Sequence, residues 1–154
     1  MAIRLSSGLQ AEIKKSGGKS FADALANGVI DIYTGAQPLD ADNAETGTKL
    51  VRITLGSGAF TPGIATNGIN FDTVVSGILL KAVAEVWSGL GLADGVAGWY
   101  RFYDNDVTTG SSTTAIRYDG AIASSGSQLN MSNQNVTNGG TVTIDSAEIE
   151  LPRA

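Results

Sequence analysis

Cysteine and histidine are both missing from this 154-residue chain, and each absence closes off a class of chemistry. Without cysteine there can be no disulfide and no thiolate metal site. Without histidine, the commonest general base and the imidazole ligands of zinc are gone, and a Ser-His-Asp arrangement cannot be assembled. Charge is also scarce, at 16% of residues with a net charge of −5. The largest basic cluster is Lys14-Lys15, too little to neutralise a phosphate backbone, so nucleic acid is not an expected partner. No apolar run approaches the roughly 20 residues that cross a bilayer. The longest candidate, Val74 to Trp87, is interrupted by Ser76, Gly77, Lys81 and Glu85, and no membrane partner is expected. The opening residues Met1 to Leu5 lack a hydrophobic signal region, so the protein is expected to stay in the compartment where it is made.

What is abundant is glycine, at 20 residues against an average share near 7%. Glycine with Ser, Thr and Asn suits a β-protein with many tight turns. Size points to one domain. The richest stretch is Ala97 to Asp104, where Trp99, Arg101 and Tyr103 occupy one strand phase and Tyr100 and Phe102 the other. Large rings in both phases imply a strand covered on both sides. Arg101 could stack on rings in a carbohydrate cleft or pair with a neighbouring carboxylate.

Elsewhere the period is also two. Val29 to Thr34, Lys49 to Leu55, Lys81 to Trp87 and Ala115 to Ala123 read as strands, with Lys81–Trp87 an antiparallel neighbour of the aromatic strand. Thr73 to Leu80 is ambiguous. Thr141 to Leu151 reads as a closing strand whose apolar residues switch phase, which a bulge near Asp145-Ser146 would explain. Helical spacing is confined to residues 1–28: a short helix at 20–26 opens on Ser20 and Asp23 and stops at Asn27-Gly28, and residues 6–15 fit either a helix or an arm that orders against a neighbour. The expected architecture is all-β: an antiparallel sandwich or jelly roll of about eight or nine strands. It comprises an N-terminal arm at 1–19 and a single sandwich domain at 20–154.

Reactive motifs are weak. Gly17-Gly18-Lys19-Ser20 ends like a phosphate loop, but Ile13 stands where the first glycine belongs. Asp104-Asn105-Asp106 offers oxygen ligands without the rest of a calcium loop. Glu85 and Asp104 could be a glycosidase pair, yet nothing separates them from surface charges. No enzyme, cofactor or metal site is expected.

Met1 to Ser6, Asn27 to Pro38, Gly98 to Phe102 and the C-terminal run Gly120 to Pro152, with Ser125 to Met131 and Gly140 to Ile144 within it, together resemble a group of small virion structural proteins of tailed bacteriophages and prophages. The resemblance implies a virion setting, with synthesis in the bacterial host cytoplasm. The expected role is capsid decoration (cement) through contacts with the major capsid protein, other virion proteins or sister copies in a homo-oligomer. The alternative is a tail or fibre component, including a receptor-binding module that takes a glycan. Ile3, Leu5, Leu9 and Ile13 in the arm are the candidate partner contacts; equally, these four could close the protein's own sandwich.

Overall fold

A computed structural model describes residues 3–151 of the chain. The chain is mostly β. In order, the elements are β1 (Arg4–Leu5), α1 (Ser7–Lys14), α2 (Phe21–Ala24), β2 (Val29–Tyr33), β3 (Lys49–Leu55), β4 (Phe71–Val75), β5 (Ile78–Lys81), β6 (Trp87–Leu90) and β7 (Gly95–Val96). They continue with β8 (Trp99–Tyr103), β9 (Arg117–Ala123), β10 (Leu129–Asn130), β11 (Asn135–Val136), β12 (Thr141–Thr143) and β13 (Ser146–Ile149).

The aromatic strand β8 is central, as its two-sided rings require. It pairs antiparallel with β2 from Val29↔Tyr103 to Tyr33↔Trp99 and with β9 from Trp99↔Ala121 to Tyr103↔Arg117. Every one of its five residues is buried. Outward from this centre the sheet runs β12-β6-β3-β2-β8-β9-β10-β13-β5-β4, with β1 joined to β9, while β11 and β7 form a separate pair. The sheet is mixed, because β10 lies parallel to β9. It also curls: Phe71, from the last strand of the path, meets the Trp87 ring near the other end at 5.5 Å, edge-on.

Inside the curl, Phe102 stacks on Phe71 at 5.2 Å and on Tyr118 at 5.7 Å. Ile30, Ile32, Val51, Ile53 and Tyr100 share this face of the sheet and belong to the same buried cluster. Burial of large rings dominates such a core. The helices close one opening of the curl. Ser6 caps α1 by accepting from Leu9 N–H at 3.1 Å, and Ser20 caps α2 by accepting from Asp23 N–H at 3.1 Å. Leu9 and Phe21 thereby enter the core, and Phe21 lies 5.3 Å from the Tyr118 ring.

All-β is therefore correct, with two helices in place of one. The hydrogen-bonded path differs from two facing antiparallel sheets. Lys81–Trp87 is not one strand: β5 ends at Lys81, a turn follows in which Glu85 N–H donates to Ala82 O at 3.1 Å, and β6 begins at Trp87. The Glu85 carboxylate fastens this turn by accepting from Asn70 N–H at 2.7 Å and from Trp87 Nε1–H at 2.9 Å. Nor does β6 neighbour β8; it pairs with β3 and β12, because β2 and β9 already occupy both edges of β8. The ambiguous segment is the β4–β5 hairpin, turned by Ser76 and Gly77 at φ of 52° and 81°. The phase switch after Thr143 is a change of partner: β12 adds to β6, whereas β13 adds to β10 and β5.

Leu9 has no exposure at all. Leu9→Ala is expected to destabilise the fold by about 2–5 kcal/mol, the range for emptying a filled core site, as read by chemical denaturation.

Candidate functional site

The outer face of the central strands carries charge. Cross-strand register aligns Arg52, Asp31, Arg101, Asp119 and Arg4 in one row across β3, β2, β8, β9 and β1. The signs alternate along the row. Arg52 grips Asp31 with two hydrogen bonds at 2.7 and 2.8 Å, and Lys49 reaches the same carboxylate at 3.0 Å. Arg101 grips Asp119 in the same bidentate manner at 2.6 and 2.8 Å. Both members of that second pair are fully buried.

Two loops, residues 34–48 and 104–116, roof this face. Glu45 descends from the first loop to accept from Arg101 Nη1 at 2.9 Å and from the Tyr103 hydroxyl at 2.6 Å, and it also takes Gly110 N–H of the second loop at 3.0 Å. Arg117 donates to the carbonyls of Ala41, Thr108 and Gly110 at 2.8, 2.7 and 2.6 Å, tying both loops to β9. Trp99 stacks on Tyr33 at 4.6 Å and donates to Thr46 O at 3.2 Å. Arg101 also lies 5.5 Å from the Trp99 ring. Pairing with carboxylates, the second of its two sequence readings, is what this side chain does.

Electrostatics follows from this enclosure. Burial pushes the Glu45 carboxyl up, but the Tyr103 hydroxyl, main-chain N–H groups and Arg101 outweigh it and leave the group below its ordinary range. For Arg101, burial works against the charge, yet Asp119 holds the guanidinium charged. Burial first, with the charges of Asp31 and Glu45 adding to it, raises the Tyr33 phenol to about 12 against the Tyr103 hydrogen bond and the charge of Arg101. These groups are saturated by one another and act as fasteners between loops and sheet.

The sequence-derived candidates fall elsewhere. Ile3 and Leu9 are buried in the chain's own core, and Leu5 and Ile13 pack half-buried against it. β1 is bonded along β9 at Arg4↔Asp119 and Leu5↔Tyr118, and Ser6 Oγ–H donates to Ala115 O at 2.7 Å. Ser20 of the Gly-Lys-Ser run is the α2 cap. Asn105 is structural, donating from Nδ2 to Asn27 O and Ile64 O at 2.8 Å each. Among the described residues no group of three or more Asp or Glu is placed to hold a metal ion. Glu85 is engaged by Asn70 and Trp87, and Asp104 lies in the loop after β8, where Asp104 N–H donates to Ile116 O at 3.1 Å.

Sequence reasoning passed over Asp31, Glu45, Arg117 and Asp119. A signal did exist for three of them: Asp31 stands alone among the apolar residues of β2, and Arg117 and Asp119 flank Tyr118 at the start of β9, charges that are affordable inside a sheet only if partners lie close by. Nothing comparable marks Glu45, which sits in a polar loop.

The exposed large apolar side chains are all aliphatic among the described residues. Val74 and Val75 stand on the β4–β5 hairpin, and Val74 lines a cleft of about 440 Å³ shared with Phe21, Leu79, Ile149 and Leu151. Leu90, Leu92 and Val96 are exposed on β6, β7 and the turn between them. No family model matches this chain, and no curated protein or solved structure is significantly similar to it.

Two outcomes test this description. Arg101→Met leaves the buried Asp119 without its bidentate partner and Glu45 with only the more distant Arg117 Nη1 at 3.8 Å, and is expected to cost about 3–5 kcal/mol; adding Asp119→Leu should restore part of that loss in denaturant titrations. Asp104 behaves oppositely to Glu45. Burial first, then the charge of Asp106, raises its carboxyl from 3.8 to about 6, against the main-chain N–H groups of Asp106 and Val107 and the charge of Lys19. The folded chain thus keeps a proton that the unfolded chain releases near 3.8, so the contribution of Asp104 to stability falls as pH rises through that window. Asp104→Asn removes the titration: melting curves should show the variant gaining on the wild type between pH 3.8 and about 6 and holding that gain above it.

Proposed function

We propose that this chain is a non-enzymatic structural protein of a tailed-phage virion, a capsid decoration (cement) protein that stabilises the head through contacts with the major capsid protein and with sister copies. The observation that carries the reading is the placement of exposed aliphatic side chains: Val74 and Val75 on β4, which ends the sheet path, and Leu90 on β6 next to its other end, followed along the chain by Leu92 and by Val96 of the separate β7. Apolar surface at sheet ends favours lateral association. A unit with two such regions can touch more than one neighbour, and many modest identical contacts add up in a symmetric shell.

The buried row supports the same reading. It stiffens the body between its two sticky ends, so that each contact spends little free energy on ordering the chain. In this account the curl that sets Phe71 against Trp87 makes the protein a sandwich-like brick, two layers of one sheet around a shared core. Residues 3–14 contribute by completing that brick, with Leu5 and Ile13 the only arm candidates that retain surface.

The alternative of a tail or fibre module that takes a glycan would need an exposed ring to stack on sugar, and the rings of β8 are all buried. Quantitative mass spectrometry and electron cryomicroscopy of purified virions decide between them. The expected result is density on the outer surface of the head, in copies proportional to the capsid protein. Density confined to the tail, or absence from virions, overturns the proposal.

A further inference from the structure

The turn from β11 to β12 is built like the tip of a hairpin: Gly140 N–H donates to Thr137 O at 2.9 Å across it. The two strands nonetheless do not pair with each other. β11 is bonded to β7 through Asn135↔Val96 and Val136↔Gly95, and β12 is bonded to β6 through Thr141↔Leu90, Val142↔Gly89 and Thr143↔Ser88. They diverge from their shared turn and enclose a groove of about 250 Å³ lined by Ser132, Asn133, Asn135, Thr137, Thr141 and Thr143.

One wall of that groove is an open sheet edge. Gly91 N–H donates to Gly140 O at 2.8 Å, and Ile144 N–H donates to Trp87 O at 2.9 Å. In an antiparallel ladder the main-chain groups of alternate residues face the same partner. Residues 140, 142 and 144 therefore face β6, and the N–H and C=O of Thr141 and Thr143 face away from it. β12 ends the strand order, so no strand takes up these groups among the described residues. Val142 is buried beneath, while Thr141 and Thr143 are exposed.

We propose that this groove receives an extended, uncharged segment of a neighbouring polypeptide, which joins the edge of β12 as an added strand. An extended backbone is the ligand that offers donors and acceptors in pairs at the roughly 7 Å spacing of every second strand residue. The six side chains named above are neutral. The ionised groups closest along these segments are acidic: Asp94, which accepts Asn138 N–H at 2.8 Å, and Asp145, two residues beyond Thr143. An acidic segment is therefore disfavoured, and a neutral one rich in threonine, serine or valine fits. The inference rests on the proposed function only for the identity of the neighbour, so a peptide assay on the isolated chain fails or succeeds independently of virion localisation.

The test uses full-length ¹⁵N-labelled protein and an acetylated, amidated hexapeptide of alternating threonine and valine. Amide shifts confined to residues 132–143 are expected. A hexapeptide of alternating threonine and glutamate, and one N-methylated at every residue so that neither of its edges can donate, should each bind about tenfold more weakly or worse, a difference of about 1.4 kcal/mol. Thr143→Pro removes only an outward N–H, a position where an edge strand tolerates proline. It should leave the remaining spectrum unchanged and abolish the shifts, while Thr143→Ala retains them. Absence of shifts with the neutral peptide overturns the proposal, as do equal binding of the N-methylated peptide, undiminished binding by Thr143→Pro, or the same shifts from a neutral hexasaccharide. Should Thr143→Pro disturb the fold, the N-methylated peptide decides alone.

Discussion

The buried pair of Arg101 and Asp119 is the constraint on which the rest of the structure depends. Removing two charges from water costs several kcal/mol each, and only near-ideal geometry with further hydrogen bonds offsets that cost. Here the geometry is bidentate at 2.6 and 2.8 Å, and the remaining Nη1 of Arg101 is taken by Glu45. The requirement reaches well past the pair itself. Asp31 and Arg52 must sit in the same row, and the loop carrying Glu45 must close over it.

Register follows from this. Side chains alternate faces along a strand, so a slip of one residue between β2 and β8 would carry Arg101 into the aromatic core and Phe102 among the carboxylates. Hydrophobic packing alone also disfavours the slip, but rings on both faces of β8 weaken that preference. Trp99 and Tyr103 are apolar enough to tolerate either side; Arg101 is not. The charged row thus supplies discrimination that the ring pattern lacks, and it does so with the same contacts that anchor loops 34–48 and 104–116. What remains adaptable is the periphery. The β4–β5 hairpin and the diverging β11 and β12 lie away from the row, and there the polypeptide exposes aliphatic side chains and unpaired main chain.

Legibility in the sequence tracks how local the cause is. β3 coincides with its expected span, because Val51, Ile53 and Leu55 alternate without interruption. The cap at Ser20 was visible because it acts over three residues, and Ser6 works the same way for α1. The break at 82–86 was not visible, since the alternation of Val83, Glu85 and Trp87 continues straight through it. There the distant Asn70 holds the Glu85 carboxylate while the segment turns out of the sheet, and Val83 and Val86 are exposed. Likewise the phase change after Thr143 was legible as an irregularity, but not as the point where the chain leaves β6 for β10 and β5.

By itself, then, the sequence determined the β-rich character, the central aromatic strand, the helix cap at Ser20 and the exclusion of thiol and imidazole chemistry. All of these depend on residue identity or on spacing within a few positions. Tertiary structure decided which edges meet, that Leu9 serves the core, that Glu45 lies over Arg101, and that β11 and β12 part company beyond a tight turn. Strand edges present the same N–H and C=O groups whatever the side chains, so partner choice is settled by which combination buries every charge with its counter-charge and every ring within one core. That is a property of the whole chain at once.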